Sequence, residues 1–207
     1  MIQLPAPTAA PLQGRIDLAI PPAMRLDDEQ LFAFCAANRD LRIERNADGD
    51  LEIMPPTGAE TGHRNAELAL DFGIWARQDG RGVVFDSSTG FLLPNGAMRS
   101  PDLAWVLRGR LAQLSAEQKR KFLPLAPDLV VELASPSDAP EDLHAKLLEW
   151  RDNGARLGWL ILPDQREIWR YTPDAEPEQL HAPDSLGDPE LLPGLALPMT
   201  GLWTPAL

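Results

Sequence analysis

Two short apolar runs, residues 103–106 and 129–133, show no alternation with polar residues. A strand that is apolar on both faces belongs in the middle of a sheet covered on both sides. Each run nevertheless has one carboxylate, Asp102 directly before the first and Glu132 inside the second. A buried carboxylate is costly unless it is paired, hydrogen-bonded or bound to a metal. The pattern therefore predicts two central strands whose acids need partners.

The segment after the second run predicts a helix that begins near Ala139. Asp138 and Glu141 form a capping-box pattern, and Pro140 falls in the first turn. Three apolar residues at helical spacing form its inward stripe: Leu143, Leu147 and Trp150. Lys146 falls inside this stripe, so the helix directs it toward the core, where a lysine needs an anionic partner.

The rest of the pattern predicts further helices and strands around this centre. They are a helix at 27–38, a hairpin of 41–44 and 51–54, a helix at 60–78, strands at 83–86 and 91–93, a short helix at 115–122, strands at 157–162 and 167–171, and an edge segment at 191–203. Strands and helices do not alternate regularly enough for a doubly wound fold. The predicted class is α/β, with a mixed central sheet flanked by helices, preceded by an N-terminal helix and hairpin.

Length and composition narrow the organisation of the chain. Its 207 residues suffice for one hydrophobic core, predicted over 25–207, and the proline-rich residues 1–24 are expected to run extended on the surface. No apolar run reaches the roughly 18 residues of a membrane span. Residues 1–22 lack the pattern of a signal peptide, so the expected location is cytoplasmic. Cys35 is the only cysteine and lies in an apolar helix pattern, which indicates a core residue.

The formal net charge of −12 bears directly on possible partners. A strongly acidic protein does not attract nucleic acid by charge, so such a substrate would need a local basic patch or a bound metal. The most basic stretch, residues 118–121, is interpreted as a solvated helix face. Asp102, Glu132 and Lys146 are then the ionisable groups that the local pattern directs inward, and they can satisfy one another.

These residues carry a resemblance to a known family. Pro101-Asp102 on one strand, a glutamate on the next and a nearby lysine resemble the PD-(D/E)XK nuclease superfamily. Four further stretches of sequence resemble the Uma-type family of proposed restriction endonucleases: 55–62, 126–138, 153–154 and 158–161. In the superfamily pattern the lysine stands two residues after the glutamate, where this chain has Ala134. Lys146 would therefore reach the site from the following helix.

The resemblance implies a restriction-endonuclease-like core and Mg²⁺-dependent cleavage of nucleic acid, DNA rather than RNA, with Mn²⁺ able to substitute. Asp102 and Glu132 would hold the metal, because Mg²⁺ prefers carboxylate oxygens together with substrate phosphate. Lys146 would orient the attacking water or stabilise negative charge. Glu60 is either a third metal ligand, as in similar nucleases, or a first-turn acid favoured by the helix dipole. A homodimer is expected, because cutting a duplex suits two-fold symmetry.

A non-catalytic alternative explains the same residues. Asp102 could be a turn residue bonded to backbone, and Glu132 with Lys146 could form an inert ion pair. The protein would then be a nucleic-acid or protein interaction module that keeps the nuclease fold. His63 is interpreted as a packing or surface residue.

Overall fold

The protein is built around a central sheet and a smaller second sheet. The structure is a computed structural model and describes residues 14–207. The helices and strands in chain order are β1 Ile16–Leu18, α1 Asp28–Ala37, β2 Arg42–Arg45, β3 Leu51–Met54, α2 Ala59–Asp79, β4 Gly82–Asp86, β5 Phe91–Leu92, β6 Met98–Arg99, β7 Leu103–Leu107, α3 Arg108–Ala112, β8 Leu129–Leu133, α4 Pro140–Asp152, β9 Leu157–Leu162, β10 Glu167–Tyr171, β11 Glu178–His181, β12 Ser185–Asp188, β13 Leu192–Pro198 and α5 Thr200–Trp203.

The central sheet has six strands in the order β11-β10-β9-β8-β7-β4. Strands β8 and β9 run parallel and the other neighbours run antiparallel, so the sheet is mixed. Strand β8 is buried along its whole length, and so are the first four residues of β7. The continuous apolar runs therefore form the covered centre of the sheet, which confirms the prediction.

Helices cover both faces of this sheet. On one face α2 packs through Leu68 and Phe72, together with the β12–β13 hairpin. On the other face α4 packs through Leu147 and Trp150. The predicted fold class, a mixed sheet flanked by helices, is confirmed.

The second sheet has five short strands in the order β1-β3-β2-β6-β5. Helix α1 covers it, and their contact forms a small core of Leu31, Ile43, Leu51 and Met98. The helix begins as the sequence predicts, because Asp27 and Gln30 form a complete capping box. Cys35 packs at the margin of this core, in agreement with its predicted role.

Some predicted details are wrong. Residues 115–122 form only the 3₁₀ turn Gln118–Arg120, although the predicted Ser115–Gln118 cap is present. The helix cannot continue to Leu123, because Leu123 exchanges backbone hydrogen bonds with Gly90 and Leu92 instead.

The C-terminal segment also differs from the prediction, and the N-terminal segment is described only in part. Residues 192–198 are not an edge of the central sheet: they pair with β12 in a separate hairpin that lies over the α2 face. Residues 1–13 of the predicted N-terminal segment lie outside the described residues. Residues 16–18 of that segment do form a strand, which pairs with β3.

Two glycines offer a matched test of this packing. A Cβ on Gly82 would lie 2.1 Å from the buried Trp105 ring, whereas a Cβ on Gly73, inside α2, would meet nothing within 4 Å. Gly82→Ala should therefore destabilise the fold by about 1–3 kcal/mol through overpacking. Gly73→Ala should stabilise it by about 0.5–1 kcal/mol, because alanine favours a helix interior. Urea denaturation of both variants measures this, and equal effects would contradict the packing of β4 on β7.

Candidate active site

Strand register brings Asp102 and Glu132 together. Strands β7 and β8 pair Leu103 with Val131, and the same register continued by one residue sets Asp102 beside Glu132. The Asp102 Oδ2 atom accepts a hydrogen bond from the backbone N–H of Leu133 at 2.8 Å, which fixes the side chain against β8. Asp102 is thus more than a local turn residue, because its partner lies on the neighbouring strand.

Helix α4 supplies the third predicted group. The Lys146 Nζ atom lies 3.0 Å from Glu132 Oε1, and the Glu132 side chain is only 3% exposed. The Trp150 indole, one turn further along α4, donates a hydrogen bond of 3.0 Å to the same oxygen. The inward stripe of α4 therefore carries the two groups that hold Glu132 in place.

Helix α4 begins at Pro140, close to the predicted start, but the predicted cap is absent. The N-cap is Ala139, which makes no side-chain cap. Asp138 instead accepts hydrogen bonds from the backbone and hydroxyl of Ser135, so it closes the loop after β8. Ser135 and Ser137 also contact each other in this loop.

Glu44 was missed by sequence reasoning and is central to the site. It lies on β2 of the second sheet and is 1% exposed. Its Oε1 atom lies 3.1 Å from Lys146 Nζ and accepts a 3.1 Å hydrogen bond from the backbone N–H of Ser100. Lys146 is therefore shared by two buried carboxylates from two different sheets, not paired with Glu132 alone.

Arg99 was also missed, and it extends the ion network away from Glu132. Its guanidinium contacts Glu44 at 3.3 Å, Glu52 at 2.7 Å and Glu149 at 2.6 Å. The hairpin register sets Glu44 directly opposite Glu52. Like charges at such a position are destabilising unless a cation lies between them. That like-charged pair was a signal in the sequence that a cation lies between the two acids, but it does not identify Arg99.

Burial and neighbouring charges shift the pKa values of these groups. Burial, which disfavours the charged carboxylate, raises the pKa of Glu132 to about 7, although Lys146 opposes the shift. Burial acts in the same direction on Glu44, but Lys146 and Arg99 outweigh it and lower the pKa of Glu44. Burial would lower the pKa of Lys146, but Glu132 and Glu44 together raise it. Glu132 is thus the acid that can exchange its proton near neutral pH.

The raised pKa of Glu132 predicts how the metal-free protein responds to pH. The carboxyl ionises near 4.5 in the unfolded chain and near 7 in the folded one. The stability that the folded protein gains by keeping Glu132 protonated is therefore fully present below pH 4.5 and is lost as the pH rises to about 7. Glu132→Gln removes this ionisation. The free energy of unfolding of the wild type, relative to that of this variant, should therefore fall across that window by about 1.4 kcal/mol per pH unit. Urea denaturation in EDTA at several pH values measures the difference. Parallel stability curves for the two proteins would contradict the assignment.

Glu60 is not brought to this cluster. It forms an ion pair with Arg64 one turn later in α2, at 2.6 Å, and its side chain is 55% exposed. Arg64 also donates to the backbone carbonyl of Leu202, so the pair fastens α5 to α2. The geometry gives no support to Glu60 as a metal ligand, and it agrees with the alternative of a first-turn acid.

The cluster lines a cavity of about 600 Å³ between the two sheets and α4. Asp102, Glu132 and Lys146 all line it. Within residues 14–207, no three His, Cys, Asp or Glu side chains form a ready-made metal cage. The donor set still fits Mg²⁺, which is commonly held by one or two carboxylates together with substrate phosphate. The Lys146 and Trp150 contacts of Glu132 both fall on Oε1, which leaves Oε2 for such a ligand.

Comparison with known proteins identifies the family. The model of the family Uma2, described as "Putative restriction endonuclease", matches residues 28–200. The chain belongs to the Uma2 family. The match includes the central sheet, four of the five strands of the second sheet and α4. Asp102, Glu132 and Lys146 therefore lie within the Uma2 region. The resemblance read from the sequence is confirmed.

A solved structure agrees with this membership. The crystal structure of a "putative nuclease belonging to DUF820" from Anabaena variabilis ATCC 29413 matches with a TM-score of 0.67 and 19% sequence identity. The alignment covers 78% of this chain and 89% of that one. At this identity the likeness establishes a shared fold. A search of curated proteins gives no significant match. In the described part of the chain, every helix is too short or too polar to cross a membrane.

Proposed function

We propose that this Uma2 protein is a Mg²⁺-dependent endonuclease that hydrolyses phosphodiester bonds of DNA. The observation that carries the proposal is the position of Asp102, directly before β7, beside Glu132 on β8, with both side chains lining one cavity. Family membership supports the nuclease class. Two neighbouring carboxylates can hold the cation that activates water for phosphodiester hydrolysis.

Asp102 and Glu132 would hold the cation, with Mn²⁺ able to replace Mg²⁺. When bound, the ion would lower the pKa of a water and neutralise charge on the phosphoryl oxygens. Lys146 and Trp150 keep the Glu132 side chain in one orientation, because both contact Oε1. In the reaction, a water oxygen bonds to phosphorus, a P–O bond breaks, and the leaving oxygen takes a proton. A two-fold dimer would place two such sites on a duplex.

The charge of the protein favours one competing function. With a net charge of −12 the chain repels nucleic acid at long range, and Lys146 and Arg99 already neutralise much of the cluster. A non-catalytic module, in which the cluster only stabilises the fold, would have the same contacts between these side chains. The two functions differ in their response to Mg²⁺, because only the endonuclease needs the cation.

A nicking assay tests the proposal. Purified protein is incubated with supercoiled plasmid DNA in Mg²⁺, Mn²⁺ or EDTA, and with a structured RNA in parallel. Nicked or linear DNA should form with either cation and should not form in EDTA. Intact DNA under every condition, with a protein that is folded by circular dichroism, would favour the non-catalytic module. Cleavage of RNA alone would correct the substrate.

A further inference from the structure

Lys146 is enclosed by oxygens of the protein, through hydrogen bonds to Glu44 and Ser100 and an ion pair with Glu132. An ammonium group has three N–H donors. Three oxygens surround the Nζ atom: Glu132 Oε1 at 3.0 Å, Glu44 Oε1 at 3.1 Å and the carbonyl of Ser100 at 3.4 Å. The side chain is only 15% exposed. Lys146 therefore orients Glu132 and Glu44, and a phosphate in the cavity needs a different cation.

Two of the other cations that line the cavity are also occupied. Arg99 is bound by three carboxylates and is nearly buried. Arg15, directly before β1, forms a 2.7 Å ion pair with Asp17 on that strand. Arg15 also lies 3.7 Å from Glu52 and 3.6 Å from Asp142, so carboxylates surround both guanidinium groups.

Arg42 differs from these cations. It precedes Glu44 by two residues on β2, so both side chains leave the same face of the strand. Its Nη2 atom donates to the carbonyl of Ser100 at 2.8 Å. Its Nη1 atom lies 3.6 Å from Asp102 Oδ1 and its Nη2 atom 3.9 Å from Glu44 Oε1, both beyond hydrogen-bond length. Its Nε atom is buried and has no partner within residues 14–207.

Arg42 thus keeps unbonded Nη donors on a side chain that reaches the cavity. The side chain is 35% exposed and lines the cavity beside Asp102. A guanidinium carries five N–H donors in a planar fork, which matches two phosphate oxygens at once. We propose that Arg42 is the catalytic residue that binds the scissile phosphate of the nucleic acid, next to the Asp102–Glu132 pair. This inference rests on the proposed endonuclease function.

The test compares Arg42→Met and Arg42→Lys with Arg77→Met, which removes an exposed arginine from the far end of α2. Two quantities are measured on each protein: kcat/KM for a short DNA duplex, and the melting temperature with and without Mg²⁺. Arg42→Met should lower kcat/KM by about 10²–10³-fold, the effect of removing one group that stabilises transition-state charge. Arg42→Lys should keep a charge but lose the fork, and should fall between that variant and the wild type. Arg77→Met should behave as the wild type.

The rise in melting temperature with Mg²⁺ separates phosphate binding from a structural role. If Arg42 binds the phosphate, both Arg42 variants keep the full Mg²⁺-dependent rise while they lose activity. If they lose that rise together with activity, Arg42 acts only through Asp102 and the proposal is overturned. Wild-type kcat/KM in Arg42→Lys overturns it as well, even if Arg42→Met does not fold. A wild type that cleaves no DNA would instead refute the endonuclease function, so the two failures are distinguishable.

Discussion

Asp102→Asn and Glu132→Gln are each expected to lower the rate of DNA cleavage by at least about 10²–10³-fold. Each substitution replaces a charged oxygen donor by a neutral amide of nearly the same shape. The backbone N–H of Leu133 and the indole of Trp150 can still bond to the amide oxygens, so the fold should persist. The cation would lose one of its two protein ligands. Single-turnover cleavage at saturating Mg²⁺ measures the effect.

Two exposed acids provide matched controls. Asp164→Asn in the turn after β9 and Glu176→Gln in the turn after β10 make the same chemical changes outside the cavity. Both should cleave at the wild-type rate. If all four variants cleave equally, the activity belongs to a contaminating nuclease, and the catalytic role of the pair is refuted.

Mg²⁺ is expected to stabilise the folded protein through the same two carboxylates. A ligand that binds only the folded state at a hundred times its dissociation constant adds about 2.7 kcal/mol to the free energy of unfolding. For a chain of this size that corresponds to a rise of about 5–10 °C in Tm. Glu132→Gln should remove most of this rise. Thermal melts with and without Mg²⁺, on both proteins, measure it.

The metal-free Glu132→Gln variant distinguishes the metal site from an inert ion pair. Lys146 keeps Glu44 at 3.1 Å and the carbonyl of Ser100 at 3.4 Å, so the substitution does not leave the ammonium unpaired. Burial also opposes ionisation of Glu132. The metal-free variant should therefore be as stable as the wild type at pH 8, or slightly more stable. A loss of about 3–5 kcal/mol with no response to Mg²⁺ would contradict the metal site and favour a structural Glu132–Lys146 pair.

The sequence predicted the centre of the fold because local pattern determines it. Unbroken apolar runs occur where a strand is covered on both faces, which gave β7 and β8. Helical spacing gave the inward stripe of α4, and Lys146 was found because it interrupts that stripe. The three predicted groups, Asp102, Glu132 and Lys146, all line one cavity in the structure. Their roles in metal binding and catalysis stay predictions.

Glu44 and Arg99, which join the cluster from the second sheet, could not be predicted from local pattern. On the β2–β3 hairpin, charged and apolar residues alternate, which is also the pattern of a strand with one face in water. Glu44 is buried only because the hairpin packs against α4 and the central sheet, a contact between segments 102 residues apart. No local pattern contains that contact. Arg99 escaped notice for the same reason, because its carboxylate partners lie on β2, β3 and α4.

A crystal grown with Mn²⁺ and a short DNA duplex, measured at the manganese absorption edge, tests the metal site most directly. The predicted result is an anomalous peak in the cavity, bound by Asp102 and Glu132, in the wild-type protein. The same peak should be absent or much weaker in Glu132→Gln crystals grown under the same conditions. A wild-type map in which Glu132 bonds only Lys146 and Trp150, with no peak beside Asp102, would contradict the metal site and with it the endonuclease mechanism.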